Sequence, residues 1–225
     1  MLISPCRTLG IEIPAKNAST TFDHVFLNWE NHPSHLPELI PETVRDVIVI
    51  LRDPRARFLS ALNMFLNIDH PITRKIVNEK RFVATFPWLC NHGKEINNHD
   101  AHFAPQSGHI GGIRHHFLGS QKHVRYFYMS DVHQNDVCED VLTWIRDYRQ
   151  DITDVISHTR YRLNSTKDKL IEKVDNKLIS HVYREDYKLL EEITRLRRWE
   201  NFKNVHTLGA FGINFNGEYY DQEGF

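Results

Sequence analysis

Cysteine is scarce in this chain: Cys6, Cys90 and Cys138 are an odd number, widely spaced and without any CxxC pair. That pattern argues against a disulfide framework and against a zinc knuckle. Long apolar runs are missing too, since no stretch approaches the roughly 20 apolar residues that a membrane span requires. The first residues, MLISPCRTLGIEIPAK, lack the charged start, apolar stretch and small-residue cleavage site of a secretory signal. The expectation is a soluble protein of a reducing, cytoplasmic compartment. Nor does either charge dominate: 28 Lys and Arg against 29 Asp and Glu leave a formal net charge of -1. No broad basic field therefore marks nucleic acid or an anionic membrane as the partner, and any anion site must be local. The Walker A loop, GxxxxGK followed by Ser or Thr, is absent.

What is present suffices for one core. With 40% hydrophobic and 11% aromatic residues, the 225-residue chain reads as a single domain over 1–225. Histidine is abundant, at 15 residues, but neither the His115 and His116 doublet nor the pair His32 and His35 comes with a Cys or carboxylate pattern of a known ligand set, so no metal is expected.

Hydrophobic patterning predicts alternating strands and helices. Leu9–Ile13 is a short, mostly apolar run ending at Pro14, a buried strand leading into the polar loop AKNASTT and then a helix. Val47–Leu51 is five consecutive apolar residues, four of them β-branched, as in a parallel strand covered on both faces. Pro54 then suits a first helical turn, and Phe58, Leu59, Leu62, Phe65 and Leu66 recur at helical spacing. Val124–Met129 followed by Val137, Val141, Leu142, Ile145 and Tyr148 repeats the unit. From Thr166 to about Trp199 one helix is predicted, opened by a capping-box-like Ser165 and Asp168. The whole reads as an α/β fold, a P-loop-like central parallel sheet flanked by helices.

Two segments carry chemistry. The loop IPAKNASTTF sets Lys16, Asn17, Ala18, Ser19, Thr20 and Thr21 between a strand end and a helix start, where small residues, hydroxyls, backbone N–H groups and one cation suit a phosphate. In VIVILRDPRARFLSAL, Arg52 closes the buried strand and Ser60 follows inside the next helix. An Arg at the carboxyl end of a parallel strand stands where open α/β sheets bind ligands, and its planar fork matches phosphate.

The two motifs in this order resemble the PAPS-dependent sulfotransferases, particularly the carbohydrate branch that includes the heparan and chondroitin enzymes. That resemblance implies that KNASTT grips the 5'-phosphosulfate of 3'-phosphoadenosine-5'-phosphosulfate (PAPS). It also implies that the RDPxxRxxS pattern holds the 3'-phosphate through Arg52 and Ser60. HFAPQ, from His102 to Gln106, resembles that branch's H-x-x-PQ stretch and offers His102 and Gln106 to the acceptor. YRLNSTKDK resembles the late loop that closes over the nucleotide, through Asn164, Ser165, Thr166 and Lys167, and VYREDYKLL resembles a late structural helix with an Asp-Tyr pair. The family's general base is a histidine between the two nucleotide motifs, which leaves His32 and His35 as first candidates, with His24, Glu38 and His102 behind them.

The resemblance thus implies transfer of a sulfuryl group to an acceptor hydroxyl, a carbohydrate being one candidate acceptor, by in-line displacement. The product would be 3',5'-bisphosphoadenosine (PAP), no metal would be required, and Lys16 would neutralise charge on the bridging oxygen. Arg74 and Arg81, with aromatic residues nearby in sequence, are candidates for the acceptor pocket. A nucleotide-dependent kinase and a non-catalytic binding module are the alternatives; the first lacks both its loop and an evident Mg²⁺-binding acid.

Overall fold

The computed structural model describes residues 1–33, 40–67, 101–117, 123–130, 136–152, 176–196, 198–201, 213–214 and 218–219. The elements are β1 (Leu2–Ile3), β2 (Leu9–Glu12), α1 (Ser19–Val25), β3 (Glu30–Asn31), β4 (Asp46–Arg52), α2 (Pro54–Asn67), a 3₁₀ turn (Ala101–Phe103), α3 (Gln106–Phe117), β5 (His123–Met129), α4 (Val137–Tyr148), α5 (Asn176–Val182) and α6 (Arg184–Arg195). Two short strands, β6 (Ile213–Asn214) and β7 (Glu218–Tyr219), pair with each other as an antiparallel ladder. No helix of the described residues is long and apolar enough to cross a membrane.

The main sheet has five strands in the order β3-β1-β2-β4-β5. β2, β4 and β5 are parallel, whereas β1 runs antiparallel to β2 and β3 antiparallel to β1. The sheet is therefore mixed, not wholly parallel as expected. The antiparallel strands are two residues each, too short to carry a period-2 signal, and they form because β2 supplies a ready edge.

Alternation along β4 divides the core. Ile48 and Ile50 face one side, packing with Leu9, Ile11 and Phe127 against Phe22, Val25 and Phe26 of the α1 region and Val141, Leu142 and Ile145 of α4. Val47, Val49 and Leu51 face the other, with Tyr126 and Tyr128, against Ile110 and Ile113 of α3 and Leu189, Leu190 and Ile193 of α6. Both faces are covered by helices, which explains why β4 reads as an unbroken apolar run.

The late helix departs from expectation. In place of one continuous helix, α5 and α6 are separate, with Tyr183 between them in a non-helical conformation (φ -104°, ψ 27°). The cause is tertiary: the buried Tyr183 hydroxyl donates to the Phe103 carbonyl at 2.8 Å, and its ring packs edge-on to Phe58. Trp199 lies outside the helix and forms an isolated bridge to Tyr126. The predicted start at Ser165 and Asp168 lies outside the described residues. Conversely, α3 has no sequence signature. It contains three glycines in QSGHIGGIRHHF, each about 1 kcal/mol poorer than Ala in a helix interior.

Helix α4 illustrates capping. The Asp136 carboxylate accepts from the N–H groups of Cys138 and Glu139, both at 3.2 Å, satisfying two of the helix's four orphan donors. Asp136→Ala should cost about 1 kcal/mol, seen as a lower urea midpoint with unchanged slope, while Asp136→Asn should retain most of it.

Candidate functional site

The carboxyl end of the sheet is stepped. β2 makes its last pair at Glu12, opposite Val49, whereas β4 continues to Arg52, about 10 Å further along the strand direction. On that overhang the backbone groups of Ile50 and Arg52 that would face β2 have no strand to meet. Two side-chain amides take its place. The buried Asn17 donates through Nδ2 to the Ile50 carbonyl at 2.7 Å and to Gln106 Oε1 at 2.7 Å. Gln106, also buried, accepts from the Arg52 N–H at 3.0 Å and donates to the Arg52 carbonyl at 2.8 Å, so its carboxamide stands in for a missing peptide group.

Asn17 thereby fastens the loop that precedes α1. The loop closes with the Asn17 N–H on the Pro14 carbonyl at 3.0 Å, and it carries two non-glycine residues in the left-handed region, Lys16 (φ 70°) and Ala18 (φ 66°). Each such residue costs on the order of 1–3 kcal/mol and persists only where its surroundings over-determine it. Ser19, Thr20 and Thr21 form the first turn of α1, with Thr20 exposed.

The second segment closes on the first. Arg52 donates through Nη1 to the Lys16 carbonyl at 2.9 Å, and Arg57 donates through Nε to the Ala15 carbonyl at 3.0 Å. Lys16 extends its ammonium to Met64 Sδ at 3.1 Å, and Met64 is one helical turn beyond the half-buried Ser60, so both lie on one face of α2. Asp53 caps this helix, accepting from the Ala56 N–H at 2.8 Å.

Gln106 is held in turn by Asp186 of α6. The buried Asp186 carboxylate accepts from the N–H groups of Gln106 (3.0 Å) and Ser107 (2.8 Å) and from the Ser107 hydroxyl (2.7 Å), capping α3 from outside. The capping interaction compensates for the weak helical sequence. It also joins the HFAPQ and REDY segments into one junction. Gln106, expected at the acceptor, makes its amide contacts to Arg52 and Asn17; His102 is half-buried in the 3₁₀ turn.

His32 follows β3 on this same end of the sheet. Leu2 pairs with both Ile11 and Asn31, so His32 is level with Glu12 but two strand spacings, about 10 Å, from β2. Its N–H donates to the Met1 carbonyl at 2.8 Å. His24 is exposed on α1. His35, Glu38, Arg74, Arg81 and Asn164–Lys167 lie outside the described residues.

Two residues were missed by sequence reasoning. Arg57 is fully buried, and its Nη1 and Nη2 have no hydrogen-bond partner among the described residues. Burial pushes its proton affinity down, Tyr183 and Asp186 push it up, and Arg52 pushes it down again. His109 lies one turn into α3, half-buried, with Nε2 fully enclosed and likewise without a partner. Burial is the main cause that lowers it from the usual imidazole range. Glu12 and Asp186 raise it, and Arg57 and the Met1 amino group lower it further. Arg57 stands inside the RDPxxRxxS pattern and could have been read from it; for His109 the only sequence cue is its spacing of three from Gln106.

No protein-family model, curated protein or solved structure matches this chain.

Asp186→Ala would strand three donors at the head of α3. It should destabilise by about 2–4 kcal/mol in urea unfolding, with Asp186→Asn in between, since bonds to a charged acceptor are the stronger kind.

Proposed function

We propose that this chain is a sulfotransferase that uses PAPS as donor and an alcohol as acceptor. The observation that carries the proposal is the meeting of its two anion motifs, the Arg52 guanidinium lying on the Lys16 carbonyl at 2.9 Å at the carboxyl end of a parallel strand. This is the end at which open α/β sheets bind ligands.

The residues fit a doubly phosphorylated nucleotide. Buried cations are costly unless paired, and Arg57 holds two enclosed N–H bearing nitrogens with no acceptor among the described residues. An anionic ligand beside Arg57, Arg52 and Lys16 offsets that cost. When bound, the nucleotide supplies the activated sulfuryl group. Arg52 and Ser60 hold its 3'-phosphate, and the Lys16 loop, stiffened by Asn17, holds the 5' end. The Lys16 ammonium neutralises charge growing on the leaving oxygen, a contribution made mainly in the transition state. Gln106 and Asp186 are positioning residues, setting Arg52 against the loop without touching the ligand. The acceptor's proton requires a base, and a histidine is suited to that near neutral pH.

Isothermal titration with PAP, free of metal, tests the reading against a kinase, which would prefer ATP with Mg²⁺. PAP should bind to the wild-type chain, and Arg52→Ala should weaken it by about 10- to 100-fold. Absence of PAP binding, or preference for ATP with Mg²⁺, would overturn the assignment.

With an acceptor in hand, Lys16→Ala should lower turnover by about 100-fold or more while leaving PAP affinity much less changed. Parallel losses in affinity and turnover would instead make Lys16 a ground-state contact.

A further inference from the structure

We propose that Met64 is the positioning residue for Lys16: its thioether holds the Lys16 ammonium against α2 before the nucleotide binds and releases it to the 5'-phosphate oxygens afterwards. The observation behind this is a contact, Lys16 Nζ donating to Met64 Sδ at 3.1 Å. The inference rests on the sulfotransferase reading and names a residue outside both nucleotide motifs, four positions beyond Ser60.

The contact joins the two anion segments through their side chains. Lys16 stands in the loop before α1 with left-handed backbone (φ 70°), and Met64 stands in α2. The loop's main chain is fastened separately, by Arg52 on the Lys16 carbonyl and by Arg57 on the Ala15 carbonyl. With that backbone fixed, the Lys16 side chain redirects its charge by rotation about its own bonds. Residues four apart on a helix are neighbours, with Cβ atoms about 5–6 Å apart. Against Met64, the ammonium therefore lies beside the helix face that carries the Ser60 hydroxyl. Both Ser60 and Met64 are half-buried, so this face is open to solvent in part.

The chemistry of the acceptor decides what the contact can do. A thioether sulfur is a weak acceptor. A carboxylate at the same place would form an ion pair that a phosphate must break, and an aliphatic side chain would leave the long lysine stem to be ordered at the moment of binding. Methionine lies between these. It orders the stem and yields to a phosphate oxygen, with which the ammonium makes the stronger, charge-assisted bond. Because Lys16 exchanges one acceptor for another, it adds little to affinity in the ground state. Its bond strengthens as charge grows on the leaving oxygen, which is where it accelerates transfer.

The test uses the full chain labelled with ¹³C at its methionine methyl groups, which gives three resonances, those of Met1, Met64 and Met129. Met64→Leu identifies the Met64 resonance. Met1 and Met129 pack against the two core clusters and report whether the fold is kept. Lys16→Ala should move the Met64 resonance and leave the other two in place. PAP added to the wild-type chain should move it in the same direction, and PAP added to Lys16→Ala should move it much less. PAP that binds without moving the Met64 resonance, or that moves it equally in wild type and Lys16→Ala, overturns this inference and leaves the sulfotransferase reading standing. Failure of PAP to bind, measured by calorimetry on the same sample, overturns both.

Release of sulfate from PAPS, with water as acceptor, gives a second readout. Met64→Gln, whose amide oxygen is the stronger acceptor, should be slower than Met64→Leu by roughly 5- to 10-fold, with PAP affinity alike in the two variants. The difference should vanish in the Lys16→Ala background. Equal rates for the two variants, or a difference that persists without Lys16, mean that Met64 does not act through the lysine.

Discussion

The unpaired overhang of β4 is the constraint on which the site depends. A backbone N–H and two carbonyls in the interior cannot be left without partners at a cost of several kcal/mol, and β2 has already turned away. The substitutes are carboxamides, each presenting a donor and an acceptor in the geometry of a peptide. Each is tethered to a different segment, Asn17 to the loop before α1 and Gln106 to the head of α3. Satisfying the strand therefore fixes the loop and α3 relative to Arg52. The same bonds offset the strain of the left-handed Lys16 and Ala18 on either side of Asn17.

Electrostatics adds a second layer. The chain is nearly neutral overall, yet Arg52 and Arg57 both donate to carbonyls of the loop that carries Lys16, and Lys16 reaches back to Met64 on α2. Arg57 is the costly member, being wholly buried with its Nε on the Ala15 carbonyl and no acceptor for Nη1 or Nη2 among the described residues. A fold selected for stability alone would replace it with an apolar side chain of similar volume. Its retention fits a site held ready for an anion, where pre-oriented dipoles and charges in a dry environment need no reorganisation when charge develops. Local violations of otherwise consistent packing are expected at such sites.

Periodicity made the central architecture legible. β4, β5, α2 and α4 occur where apolar spacing and the position of Pro54 predict them, because each buries a face against the sheet and the sequence must pay for that in pattern. The antiparallel β1 and β3 escaped notice because two residues carry no period. α3 escaped because its stability comes from an acceptor, Asp186, that lies 80 residues from Gln106 in sequence. The break at Tyr183 was equally hidden, since a helical pattern runs straight through it and only the contact with Phe103 reveals the interruption. In the site, Lys16 and Arg52 were legible as residue types at strand ends. The duty of Gln106 was not, because an amide that replaces a peptide group has no motif of its own.

That long-range capping explains why widely separated sequence segments belong to one device. From Lys16 the contacts run to Arg52, from Arg52 to Gln106, and from Gln106 to Asp186, crossing loop, strand and two helices. Every link is a hydrogen bond to a backbone group, so the chain of contacts constrains main-chain position more than side-chain choice. Within it, residues that meet only backbone can be read as the frame. Arg57, whose Nη1 and Nη2 meet no acceptor among the described residues, is not part of that frame. Counting where each buried donor and acceptor is satisfied thus separates the groups that hold the site from those that work in it, a distinction that residue type alone does not draw.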